Sequence, residues 1–152
     1  MASTNSVRVL HVDDDRDFAE VAALRLEQVA ETVDVSVAQG GAEAIDHLEE
    51  APVDCVVSDY EMPGMDGLEL LEAVRADYPD LPFILFTGKG SEAVASDAIS
   101  AGVTDYIQKE SGSEQFAILA NRVQHAVDGH RARKAIERSE RRLRRVYERI
   151  SD

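Results

Sequence analysis

Four short segments place ionisable or hydroxyl side chains just after apolar runs. Asp13-Asp14-Asp15 follows the run Val7–Val12, and Asp59 follows Val53–Ser58. Thr87 follows Pro82–Phe86, and Lys109 comes just after Val103–Ile107. Carboxylates packed together repel, so they must protonate or bind a cation. One or two carboxylates with other hard oxygen ligands suit Mg2+, which keeps several waters and favours phosphate oxygens. A carboxylate can also take up a phosphoryl group and become an aspartyl phosphate. An ammonium and a hydroxyl would then hold the remaining phosphoryl oxygens. Together the four segments make sense as a phosphoryl-transfer site on an aspartate. The bland alternative is a buried ion-pair network of Asp59, Asp14 and Lys109. Convergence with Thr87 weighs against it.

The pattern along the chain says what must position these groups. Val7–Val12, Val33–Val37, Val53–Ser58, Pro82–Phe86 and Val103–Ile107 read as five strands. Between them lie amphipathic segments: Phe18–Val29, a helix carrying Ala44, Ile45 and Leu48, one carrying Leu68, Leu70, Leu71 and Val74, and a polar one at Ser91–Ser100. From Ser113 the pattern is helical to the end. Strands alternating with helices imply βαβ units and a parallel sheet covered on both faces. The expected fold is therefore α/β and doubly wound, with five parallel strands and an extended C-terminal helix. Sites in such sheets form beyond the carboxyl ends of the strands, where the chemical groups fall.

The chain has 152 residues and is 44% apolar, enough for one domain with a core plus an appendage. Its net charge of −14 is uneven: residues 1–128 hold 7 basic and 26 acidic side chains, residues 129–152 hold 9 and 4. The acidic body opposes general binding to nucleic acid or to an anionic membrane. It also suits a salt-rich cytoplasm, a halophile's. The single cysteine, Cys55, sits in an apolar run and reads as a buried thiol. No apolar run approaches the roughly 20 residues of a membrane span, and MASTNS has no leader pattern. A cytoplasmic protein is expected.

The segments VLHVDDD, CVVSDYEMPGMDG, FILFTG and DYIQK resemble, in this order, the signature segments of response-regulator receiver domains of two-component systems. The resemblance divides the chain into a flexible N-terminus (1–6), a receiver domain (7–128) and a basic helical linker (129–152). It implies a flavodoxin-like strand order of 2-1-3-4-5. It makes Asp59 the phosphoacceptor, with a histidine kinase or phosphotransfer protein as partner and a phosphohistidine as donor. Asp13, Asp14, Asp59 and the backbone carbonyl of Glu61 would hold Mg2+. Lys109 would bind the phosphoryl group, and Thr87 and Tyr106 would form the switch. Glu61 and Lys89 overhang the expected pocket and would tune the lifetime of the phosphorylated state.

Two residues depart from the family's pattern. Glu110 follows Lys109 where a proline is usual, so a trans peptide or a rearranged loop is expected there. Gly88 replaces a small alanine and would loosen its loop. Other residues have plainer readings: Asp15 as a helix cap, His11 as a core histidine, Met62 and Met65 as loop packing, and Gly67 as a helix-entry device.

In the tail, Ala132, Ile136, Ser139, Leu143, Val146 and Ile150 recur at steps of 4 and 3, a heptad seam. A homodimer through this helix is expected, the alternative being a solvated basic extension that frays alone. The apolar face before it is out of phase with the seam, which makes Gly129 a candidate hinge. No complete output domain fits in the tail, so the downstream domain is expected to lie outside this chain, in a larger histidine kinase or regulator. Two alternatives compete with the receiver reading. An aspartate-nucleophile phosphatase would carry an acid two residues after the nucleophile, where Glu61 stands, but its cap insertion is missing here. A zipper-type DNA-binding regulator is opposed by the acidic body.

Overall fold

A computed structural model describes residues 6–88 and 92–151. Its elements are β1 (Val7–Val12), α1 (Arg16–Val29), β2 (Val33–Ala38), α2 (Gly41–Glu50), β3 (Cys55–Ser58), α3 (Gly67–Asp77), β4 (Phe83–Thr87), α4 (Glu92–Ala101), β5 (Asp105–Gln108) and α5 (Glu114–Ser151). The strands form one parallel sheet in the order β2-β1-β3-β4-β5. The doubly wound, flavodoxin-like α/β fold expected from the sequence is thus observed, with its long C-terminal helix.

Alternate residues of each strand face opposite sides of a sheet, and here both sides are apolar. Val7, Val9, Cys55, Val57, Ile84 and Phe86 face α1 and α5, packing on Ala22, Leu26, Phe116, Leu119 and Val123. Leu10, Val12, Val56, Phe83 and Leu85 face the other way, onto Ala44, Leu48, Leu70, Leu71, Val74 and Ala98 of α2, α3 and α4. A sheet buried on both sides explains why VRVLHV and FILF are almost continuously apolar. The Cys55 thiol is buried and burial raises its pKa, so it acts as a small apolar group. The edge strand β5 begins two residues later than expected. The Val103 N–H instead bonds the Ala98 carbonyl, closing α4.

Local devices fix the helix starts. The Asp15 carboxylate accepts from the Phe18 N–H and caps α1. Asp66 and Glu69 form a reciprocal capping box at α3. Arg75 ties the far end of α3 to two loops, donating to the carbonyls of Tyr78, Leu81 and Gly102 at 3.1, 2.7 and 2.9 Å. Gly102 has φ +93°, a conformation that needs glycine.

α5 runs unbroken through Gly129. Val127 is buried just before that residue. Just after it, Arg131 donates to the Ser6 carbonyl at 2.8 Å and approaches Asp54 at 3.5 Å. Lys134 lies 3.4 Å from Asp80. The helix is therefore held on both sides of the glycine, and the tail leaves the body only after residue 134. Among the described residues, no helix is long and apolar enough to cross a membrane.

His11 lies mid-strand in β1, is 1% exposed, and neither ring nitrogen has a hydrogen-bond partner among the described residues. Burial, aided by the Lys109 charge, pushes its pKa down to about 3, so it is neutral. Unfolding frees the imidazole to take up a proton below about pH 6.5. The unfolded state then binds more protons, so this group costs stability as pH falls from 6.5 towards 3. His11→Leu is expected to flatten the acid limb of the stability curve in that window. Denaturant titrations of both proteins at pH 7 and pH 4.5 check this, and equal losses in both would contradict it.

Candidate functional site

The strand ladders continue one rung past the strand ends and pin the backbone of each candidate residue. The Asp13 N–H donates to the Ala38 carbonyl at 3.0 Å, and the Asp59 N–H to the Val12 carbonyl at 2.9 Å. The Lys109 N–H donates to the Thr87 carbonyl at 2.9 Å. Asp13, Asp59, Thr87 and Lys109, drawn from four strands, are thereby fixed along one sheet edge.

At the centre is the Lys109 ammonium. It donates to Asp13 Oδ2 at 3.0 Å and to Asp59 Oδ2 at 3.3 Å. Asp13 is 1% exposed. Its pKa is raised chiefly by burial, against the pull of the Asp15 N–H and Lys109; the Asp59 charge adds to the rise. Its second oxygen, Oδ1, accepts from the Asp15 N–H at 2.9 Å. Asp59 Oδ1 accepts from the Tyr60 N–H at 2.7 Å. His11 Nε2 lies 3.9 Å from Asp13 Oδ2, and since the imidazole is neutral this is not an ion pair.

Asp13, Asp14 and Asp59 each offer a carboxylate oxygen within 4.8 Å of the others. Asp14 is exposed and lines a cleft of about 500 Å3 with Tyr60, Glu61, Met62, Pro63 and Asp66. An all-oxygen donor set beside an open cleft fits a hard divalent cation that keeps part of its water. Glu61 is thus next to the acidic cluster. Lys89, expected to overhang the pocket with it, lies outside the described residues.

Thr87 closes β4 and is 1% exposed. Tyr106 pairs in register with Leu85. Its ring is partly buried, and its hydroxyl is enclosed without a hydrogen-bond partner among the described residues. Burial raises its pKa, with a smaller contribution from Tyr60. Among the described residues no cis peptide occurs, so the Lys109–Glu110 bond is trans, as the missing proline led one to expect. A Cβ on Gly88 would meet Lys109 only at 3.9 Å, an ordinary contact.

Two contributors were not recognised from sequence. The face of the Phe18 ring lies under the Lys109 ammonium, 4.2 Å from it. An aromatic at helical spacing reads as core, so no sequence signal distinguishes this contact. Gly67 is the other. A Cβ there would collide with the Asp59 carbonyl oxygen and come within 2.9 Å of Leu85 Cδ2 and Tyr60 Cα. The glycine lets α3 start directly against the strand end that carries Asp59.

Comparison with known proteins gives the same picture. The family model described as response regulator receiver domain matches residues 9–124. The chain is 35% identical over 144 residues to the C4-dicarboxylate transport transcriptional regulatory protein DctD of Rhizobium meliloti, covering 95% of this chain and 29% of that protein. It is 36% identical over 118 residues to an NtrX-like response regulator of Rickettsia bellii, covering 76% and 24%. The chain thus spans only about a quarter of the length of these relatives. A CheY-like receiver domain protein of Methanospirillum hungatei superposes with TM-score 0.75 at 26% identity, covering 84% of this chain and 98% of that one. The chemotaxis protein CheY4 of Vibrio cholerae gives 0.70 at 28% identity, covering 78% and 98%.

Gly67→Ala is expected to cost about 1–3 kcal/mol of stability through overpacking. It should also shift the amide resonances of Asp59 and Tyr60. Chemical denaturation and an amide correlation spectrum check this; native stability with unmoved resonances would contradict it.

Proposed function

This chain belongs to the response-regulator receiver family of two-component signalling, and from that premise we propose that Asp59 is its phosphoacceptor. A carboxylate oxygen of Asp59 attacks the phosphorus of a phosphohistidine on a histidine kinase or phosphotransfer protein. The phosphorus–nitrogen bond breaks, and the histidine leaves as imidazole. Lys109 and the Thr87 hydroxyl hold the phosphoryl oxygens. The observation that carries this reading is the Lys109 ammonium bridging Asp13 and Asp59. It puts a cation beside the acceptor carboxylate, on a strand end tied to Thr87. Asp13, Asp14, Asp59 and the Glu61 carbonyl would hold Mg2+, which when bound supplies charge compensation for the phosphoryl oxygens.

The phosphoryl group adds a charge of about −1.5 to −2 at neutral pH. Thr87 is drawn towards it, and Tyr106 repacks into the space beside Leu85. Glu61 and Lys89 shape the access of water and so set how long the aspartyl phosphate lasts. The state then passes to α5, whose tail carries it to segments like those that make the relatives longer. Tail residues Ile136, Leu143, Val146 and Ile150 are exposed, and they are the strongest apolar positions of the seam. We propose that they pair with the same residues of a second copy in a coiled coil.

Incubation with acetyl phosphate and Mg2+ is expected to add one phosphoryl mass to the wild type and none to Asp59→Asn. Equal labelling of the variant would remove Asp59 from its role. Leu143→Asp is expected to turn a concentration-dependent dimer into a monomer, read by light scattering. A wild type that is monomeric at all concentrations would contradict the coiled-coil proposal.

A further inference from the structure

We propose that Phe18 is the positioning residue for Lys109: its ring face holds the ammonium at the spot from which it reaches the oxygens of Asp59. The inference rests on the phosphoacceptor reading and deepens it.

An ammonium has three N–H bonds. Those of Lys109 are met on one side by Asp13 at 3.0 Å and Asp59 at 3.3 Å. On another side lies the Phe18 ring, 4.2 Å from centroid to Nζ, with Phe86 further off at 5.8 Å. A cation this close to a phenyl face is attracted to its negative quadrupole, most strongly where water is excluded. The Lys109 side chain is 19% exposed, so the contact is largely desolvated.

The ring is itself held. It packs against Phe86 of β4 and Phe116 of α5, each at 6.2 Å between centroids, and against His11 at 6.3 Å. Its backbone is fixed by the helix cap. Four contacts therefore close a circuit. Asp13 Oδ1 accepts from the Asp15 N–H. Asp15 Oδ1 accepts from the Phe18 N–H. The Phe18 ring faces Lys109. Lys109 donates to Asp13 Oδ2. The acid triplet and the lysine, nearly a hundred residues apart in sequence, are locked to one another through this ring.

The physical need for a ring follows from what Lys109 must do. On phosphorylation the ammonium exchanges a carboxylate oxygen for a phosphoryl oxygen. A hydrogen-bond acceptor in Phe18's place would compete for the same N–H groups. A ring face attracts the charge without a directed lone pair, so the lysine stays seated while its oxygen partner changes. A leucine fills similar space but has no such face.

The test compares the wild type, Phe18→Leu, Phe18→Met, Phe18→Tyr, Lys109→Met and the double variant Phe18→Leu/Lys109→Met, all as full chains. Acetyl phosphate with Mg2+ supplies the phosphoryl group and mass spectrometry reads Asp59 labelling. Thermal melts establish which variants are folded, and either ringless variant suffices. The ringless variants are expected to label about five- to thirty-fold more slowly, the range between an exposed and a desolvated cation–ring contact. Phe18→Tyr restores the rate. In the Lys109→Met background, Phe18→Leu has no further effect, as expected of residues that act together. In metal-free protein the Lys109 Hε resonances are ring-current shifted upfield in the wild type and Phe18→Tyr, and not in the ringless variants. Wild-type labelling by a folded ringless variant, or equal slowing with and without Lys109, would overturn the proposal. Should the wild type itself take no label, the phosphoacceptor reading falls, and the Lys109 resonances still decide whether Phe18 seats the lysine.

Discussion

One ammonium among carboxylates is the constraint on which the rest of this structure depends. Asp13 is almost fully buried, and a buried carboxylate without compensation is costly. Asp14 and Asp59 lie close enough to repel it. Lys109 offsets that repulsion only because β5 delivers it to the same sheet edge, its N–H bonded to the Thr87 carbonyl. The two-sided apolar sheet, the capped helices and the close approach at Gly67 are what hold three strand ends in register for that single contact.

The same interaction explains why the site is poised rather than merely stable. Buried charge pairs give little net stabilisation once desolvation is counted, but breaking one is expensive. On the proposed reading, a cation or phosphoryl group arriving at the edge would change which oxygens Lys109 can satisfy, and the elements tied to it would respond. α5 is one of these. Phe116 touches the aromatic group beneath Lys109. Further along the helix, Arg131 and Lys134 grip Asp54 and Asp80 at the opposite edge of the sheet.

Much of this was legible in the sequence, for identifiable reasons. Runs such as FILF are apolar on both alternations, which only an interior parallel strand requires, and the chemical groups stand directly after them. Asp15, followed three residues later by Phe18, could be read as a cap from local chemistry alone. What could not be read depends on distance in the chain. Phe18 looks like any core aromatic until the fold brings Lys109 over it. Gly67 reads as a helix start until the Asp59 carbonyl is seen against it. Arg131 and Lys134 look like part of a solvated basic tail, and only the fold supplies Asp54 and Asp80. The candidate hinge at Gly129 came from the phase of the apolar positions, and α5 continues through that residue.

The central claim is that Lys109 carries the charge balance of the acidic cluster, a task it would share with a bound divalent cation. The most direct measurement is the Mg2+ dependence of unfolding free energy in the wild type and Lys109→Met. Without the metal, the variant is predicted to be less stable by about 2–4 kcal/mol, the cost of leaving a largely buried carboxylate pair uncompensated. Saturating Mg2+ is predicted to return much of that loss, so the variant gains more from the metal than the wild type does. Equal stability without metal, or equal gains from Mg2+ in both proteins, would contradict the account.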